Sequence, residues 1–132
     1  MILASTASEL WFVTIVLGCT FVIGGAICTY VSILCINGRI KPNGVAGVRL
    51  NFSRNYKLYN QEKYWYDINR YGGKKSLYVS VIWLLLGIVF LILPITPDRK
   101  MSIMIAVLIL VAAAFIINAW QIYRYAEKLV AQ

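Results

Sequence analysis

Five carboxylates and three thiols are the raw material this 132-residue chain has for acid–base, nucleophilic or metal chemistry, and histidine is absent. The acids, Glu9, Glu62, Asp67, Asp98 and Glu127, are scattered, without the pairing that general acid–base work requires. The cysteines at 19, 28 and 35 are nine and seven residues apart and form no CxxC, so they lack the spacing of a zinc or redox site. No catalytic residue, metal or cofactor is expected, and the chain does not read as an enzyme. All three cysteines fall in one apolar helical stretch, where these spacings forbid a disulfide; they read as small packing residues. What remains is basic chemistry: 13 Lys and Arg give a net charge of +8. These cations adjoin apolar stretches and are interleaved with Tyr and Trp, the pattern of a segment lying on anionic headgroups. Membrane lipids at the basic loop are therefore expected partners, and nucleic acid is not.

The elements that position these residues are set by hydropathy. Apolar residues make up 61% of the chain and charged ones 14%, with a mean hydropathy of +0.73, far from the mix of a water-soluble domain. Leu10 to Ile36 is a run of twenty-seven residues without a charge, more than the roughly 20 needed to cross a bilayer core. It is too long for a signal-peptide core and lacks a basic leader, so it reads as a retained helix. Two further runs, Leu77 to Ile95 and Met101 to Tyr123, flank a short connection with Pro94, Pro97, Asp98, Arg99 and Lys100, which makes them an antiparallel hairpin. The expected fold is all-α, a single membrane domain over 1–132 with spans at about 10–36, 77–95 and 101–123. Nine of the basic residues lie in the polar loop 37–76 and two follow the third span, against two in the hairpin. The positive-inside rule places that loop and the C-terminus in the cytoplasm and the N-terminus outside the cell membrane. Trp11, Trp83, Trp120, Tyr78, Tyr123 and Tyr125 read as aromatic belts near the span ends.

Within the loop, residues 37–47 read as turns, with Asn-Gly at 37 and 43 and Pro42. At 100° per residue, Leu58, Tyr64, Trp65, Ile68 and Tyr71 share one arc and Lys63, Asp67 and Arg70 the opposite one. This predicts a short amphipathic interfacial helix, with Asn60 as N-cap and Gly72-Gly73 as C-terminal stop. In the first span, Gly24, Gly25, Cys28 and Ser32 form a small face that admits a close neighbour, either the third span with Ala112 to Ala114 or another protein. Asn118, the most polar residue inside a span, is expected to bond a neighbouring helix. No span carries an ionisable group at its midplane, which argues against proton or ion transport.

Gly47-Val48-Arg49-Leu50, then Asn60, Glu62, Trp65, Asn69, Arg70 and Gly73, resemble the motif of the SdpI family of small bacterial membrane proteins. There a Gly-x-Arg element leads to an Asn/Glu-rich stretch, a Trp, an Asn-Arg pair and a Gly, set between a first span and a helical hairpin. The spacing Trp65-x3-Asn69-Arg70-x2-Gly73 is kept here, whereas the stretch from Arg49 to Trp65 is several residues longer than the family pattern. The resemblance covers roughly residues 37–95. It implies a non-catalytic immunity or signalling protein that binds a peptide toxin, its target or a regulator at the membrane, with the motif residues as the binding element.

Each motif residue also has a purely structural reading. Arg49 can grip a lipid phosphate or a partner carboxylate bidentately, or pair internally with Glu62 or Asp67 and fix the loop. Trp65 reads first as an interfacial anchor. Asn69 and Arg70 read first as partners of carbonyls of their own helix or of the end of the first span. The competing functional reading is an accessory subunit of a larger membrane complex, with the small face of the first helix and the aromatic loop as interfaces to other subunits.

Overall fold

The computed structural model describes residues 2–42, 46–47, 50, 55–92 and 96–132. Helix α1 runs Ile2–Ile36, α2 is the single turn Tyr56–Tyr59, α3 runs Glu62–Ile92 and α4 runs Pro97–Val130. The stretches Trp11–Ile36, Glu62–Ile92 and Arg99–Val130 are long and apolar enough to cross a membrane, so the fold is all-α with three spanning helices and a short helix in the loop. Their outward faces carry Phe12, Ile23, Ile27, Ile82, Ile92, Ile109, Leu110 and Ile116, all exposed. In water such surfaces would be untenable; against acyl chains they are the expected exterior.

Sequence dictates where these helices stop. At the end of α1, Gly38 has φ +65, its N–H bonds the carbonyl of Cys35, and Arg39 N–H bonds Leu34 at 3.0 Å. That is a Schellman closure, which needs the left-handed conformation glycine adopts freely. At the start of α4, Pro97 occupies the first turn, where its missing N–H costs nothing.

The helical period read over 58–71 is present but is divided differently. Leu58 and Tyr59 belong to α2, and the first helical carbonyl of α3 is that of Gln61, which accepts from Trp65 N–H at 2.9 Å. Asn60 therefore lies one residue outside the cap position. Gly72 and Gly73 do not stop the helix: α3 continues through them as one rod to Ile92. Each glycine weakens a helix by about 1 kcal/mol, yet both are buried, and Gly73 allows a close approach of α1 that offsets such a cost. A β-carbon on Gly73 would lie 2.8 Å from the carbonyl oxygen of Ser32 and 2.8 Å from Cys35 Cβ.

This contact is one rung of a longer seam. Helices α1 and α3 run antiparallel, with Gly18 against Leu91, Val22 against Gly87, Gly25 against the backbone of Leu84, and Ser32 against Gly73. The small residues recur every seven positions on both helices, Gly18, Gly25 and Ser32 facing Gly73, Ser80 and Gly87, all of them buried. A seven-residue repeat of small side chains lets two helices wrap at short distance with a left-handed twist. The partner of the small face of α1 is thus the second spanning helix, not the third, and Ala112 and Ala113 are exposed. Gly24 lies beside this seam against the Trp83 ring, 3.1 Å away for a β-carbon. Cys28 is half-buried, its carbonyl accepting from Ser32 Oγ at 2.8 Å.

Helix α4 closes the bundle. Phe115 meets Trp83 edge-on at 5.8 Å, and Phe21 of α1 meets the same ring at 5.9 Å. Trp83 is therefore no belt residue but the aromatic centre where the three helices converge. Asn118 Nδ2 donates to the Lys75 carbonyl at 3.3 Å, joining α4 to α3. At the far end from the loop, Lys100 is 5% exposed, its ammonium 5.0 Å from the Trp11 ring centre and 5.7 Å from that of Phe90. One cation thereby holds the ends of three helices.

Candidate functional site: a loop clamp at one end of the bundle

Trp65 lies on the inward face of the first turn of α3 and is 1% exposed. An indole buried this fully must place its N–H, and Nε1 donates to the Ile40 carbonyl at 2.8 Å. Ile40 follows directly on the Schellman turn that ends α1, so this bond ties the start of the loop to α3. Cys35, Ile40 and Trp65 form one buried cluster.

One turn further along, Asn69 is 2% exposed. Its Nδ2 donates to the Trp65 carbonyl at 3.0 Å, and its Oδ1 accepts from Cys35 Sγ at 3.7 Å. A side chain of α3 thus bonds its own helix and the last turn of α1 together. Gly47 lies over both residues: a β-carbon there would fall 2.8 Å from Asn69 Oδ1 and 3.0 Å from the Trp65 ring. With φ +115, this position excludes other residues by backbone conformation as well as by space.

Of the motif residues, Gly47, Trp65, Asn69 and Gly73 converge on the interface of α1, α3 and the loop. Glu62 and Arg70 do not join them; both are exposed, with Glu62 in the first turn of α3, where a carboxylate complements the helix dipole. Asn60 is half-buried beside α2. Arg49 lies outside the described residues. Next to the clamp, Leu50 and Tyr59 pack on Ile68 of α3 and on Ile122 and Ala126 of α4, so the loop is held against both helices.

Beneath Gly47 a recess of about 230 Å³ opens between Ile27, Cys28, Val31, Ser32, Cys35, Gly73, Ser76 and Phe115. Its walls are apolar apart from small hydroxyl and thiol groups, which suits an aliphatic or aromatic side chain better than a charged ligand. Among the described residues, no group of three or more His, Cys, Asp or Glu side chains could hold a metal ion.

Several participants were not legible as site residues. Ile40 acts through its carbonyl, which no side-chain pattern announces. Cys35 reads as packing, and its role as partner of Asn69 emerges only when α1 and α3 are set side by side. The seven-residue recurrence of Gly18, Gly25 and Ser32 was a usable signal, because it indicates which face of α1 meets another helix.

Neither a curated protein nor a solved structure matches the chain significantly. Residues 39–119, more than half the chain, match the SdpI/YfhL protein family. This segment holds the clamp, all of α3 and the α3–α4 hairpin as far as Ala119. With three spanning helices and the loop motif folded between the first two, the chain is a multi-pass membrane protein that belongs to the SdpI/YfhL protein family.

Proposed function

We propose that this protein is a non-catalytic immunity or signalling protein of the SdpI type, acting by binding at the membrane a secreted peptide toxin, that toxin's target or a regulator. The observation that carries the reading is the position of the clamp. Gly47, seated on Trp65 and Asn69, lines with Gly73 an apolar recess between spanning helices, a preorganised place for an apolar side chain of a membrane-active peptide. The exposed residues Glu62, Lys63, Asp67, Arg70 and Lys74 flank it on the outer face of α3, where they add polar contacts. In this reading the protein sits in a bacterial cell membrane with the loop and C-terminus in the cytoplasm, as the distribution of Lys and Arg supports.

The test is survival of a sensitive bacterium producing this chain when challenged with membrane-active secreted peptides. Protection that is lost in Trp65→Ala and weakened in Arg70→Ala and Arg49→Ala, at equal protein levels, supports the reading. Protection that survives all three substitutions removes the loop motif from the mechanism. Extraction as a stoichiometric part of a larger assembly in native mass spectrometry, with no protection, makes the chain an accessory subunit instead.

A further inference from the structure

A second recess, of about 240 Å³, lies at the same end of the bundle but on the opposite side of α3, between α3 and α4. Its floor is the pair Tyr71 and Tyr125, stacked at 4.1 Å with their planes 8° apart. Its rim is cationic. Arg124 lies 4.7 Å over the Trp120 ring, Lys128 lines the opening with Gln121, and the Lys75 ammonium stands 5.9 Å from the Tyr71 ring centre. Among the described residues, no carboxylate lines the recess. The nearest acid along α4, Glu127, accepts a hydrogen bond from the Tyr123 hydroxyl.

The depth of this recess in the membrane can be read from the chain. On α4 no charge occurs from Met101 to Tyr123, a helical length of about 35 Å, and Arg124 is the first cation after it. On α3, Lys75 is the last cation before the uncharged run Ser76 to Ile92. Both helices therefore leave the hydrocarbon at this recess, where lipid phosphates lie. About two turns deeper than Arg124 on α4, Ile116 and Ile117 are 70% and 55% exposed and offer an apolar track on the membrane side of the cations.

We propose that this α3–α4 recess is a binding site for the phosphate headgroup of an anionic phospholipid in the leaflet on the loop side. Arg124, Lys128 and Lys75 hold the phosphate, the tyrosine hydroxyls and Gln121 supply further donors, and the acyl chains run along Ile116 and Ile117. Charge complementarity and an apolar track at the right depth select a lipid over a soluble anion, which needs no such track. The site does not depend on the peptide-binding reading, because it shares none of the clamp residues.

The test uses the full chain in nanodiscs of mixed phosphatidylglycerol and phosphatidylcholine, extracted gently and examined by native mass spectrometry for retained lipid. One phosphatidylglycerol per chain is expected to persist, and the double variant Arg124→Gln/Lys128→Gln is expected to retain it about thirtyfold more weakly, at about 1 kcal/mol, or 5.4-fold, per lost cation. The control Arg39→Gln/Lys41→Gln removes the same charge from exposed positions of the loop and is expected to leave retention unchanged. Arg124→Lys keeps the charge and the fold while removing the planar fork, and is expected to weaken retention less than the glutamine pair. Equal loss in the control, equal retention of phosphatidylcholine, or undiminished retention in the double variant overturns the proposal. Displacement of the lipid by millimolar inorganic phosphate also overturns it, since the site would then be one for a free anion.

Discussion

The indole N–H of Trp65 donates to the backbone carbonyl of Ile40 across 2.8 Å, and through that bond the first residues of the loop are fixed to the helix that follows it. Both partners are buried, at 1% and 7% exposure, so the bond is shielded from competing water. Trp65→Phe keeps most of the packing and orphans the Ile40 carbonyl. It is expected to lower stability by about 1–3 kcal/mol, read as a lower unfolding midpoint of the detergent-solubilised protein. An unchanged midpoint, with unchanged proteolysis of the loop, would show that the bond contributes nothing.

Gly47→Ala places a β-carbon against Asn69 Oδ1 and the Trp65 ring in a backbone conformation of φ +115. A loss of about 2 kcal/mol is expected, together with faster cleavage of the loop by added protease.

The α1–α3 seam predicts a contrast between adjacent residues. Gly25→Val drives a branched side chain into the backbone of Leu84, whereas Ala26→Val points to the exposed side. The first is expected to cost at least about 1–3 kcal/mol as overpacking, and the second to fall within experimental error. Equal thermal midpoints for the two variants would refute the antiparallel register.

Asn118→Leu removes the amide that joins α4 to the Lys75 carbonyl. Interhelical bonds of this kind are worth about 0.6–1.7 kcal/mol in a membrane, and a decrease of that size is expected in a reversible unfolding titration. At the other end, Lys100→Gln removes the cation held by Trp11 and Phe90. Its expected cost is about 0.5–2 kcal/mol, and combined with Trp11→Leu the loss should be less than additive.

How much of this was legible in the sequence follows the physics of each feature. Charge-free length identifies a spanning helix without reference to any neighbour, so the three spans could be read directly. The inward arc of Trp65, Ile68 and Tyr71 was legible for the same reason, since a 3.6-residue period is local. Gly72 and Gly73 were misleading, because a glycine pair after an amphipathic stretch is a normal stop, and only the approach of Ser32 and Cys35 explains why the helix continues. The belt reading of Trp83 fails similarly: a Trp within a span suits an interface, and its place between Phe21 and Phe115 depends on how three helices meet. The motif Gly47, Trp65, Asn69 and Gly73 can be recognised as a pattern, but that Gly47 lies on Trp65 and Asn69 while Gly73 meets Ser32 and Cys35 of α1 is a tertiary fact. Arg49, the other residue singled out from that motif, lies outside the described residues.

The seam between α1 and α3 also differs from the α4 contacts in what it costs in side-chain freedom. Glycine has no rotamers to freeze and serine few, so bringing Gly18, Gly25 and Ser32 against Gly73, Ser80 and Gly87 carries little side-chain entropy cost. Docking α4 is different, because Phe115, Asn118, Ile122 and Tyr125 must each settle into one conformation. Along this seam the pairing of the first two spans therefore freezes less side-chain freedom per residue than the docking of the third.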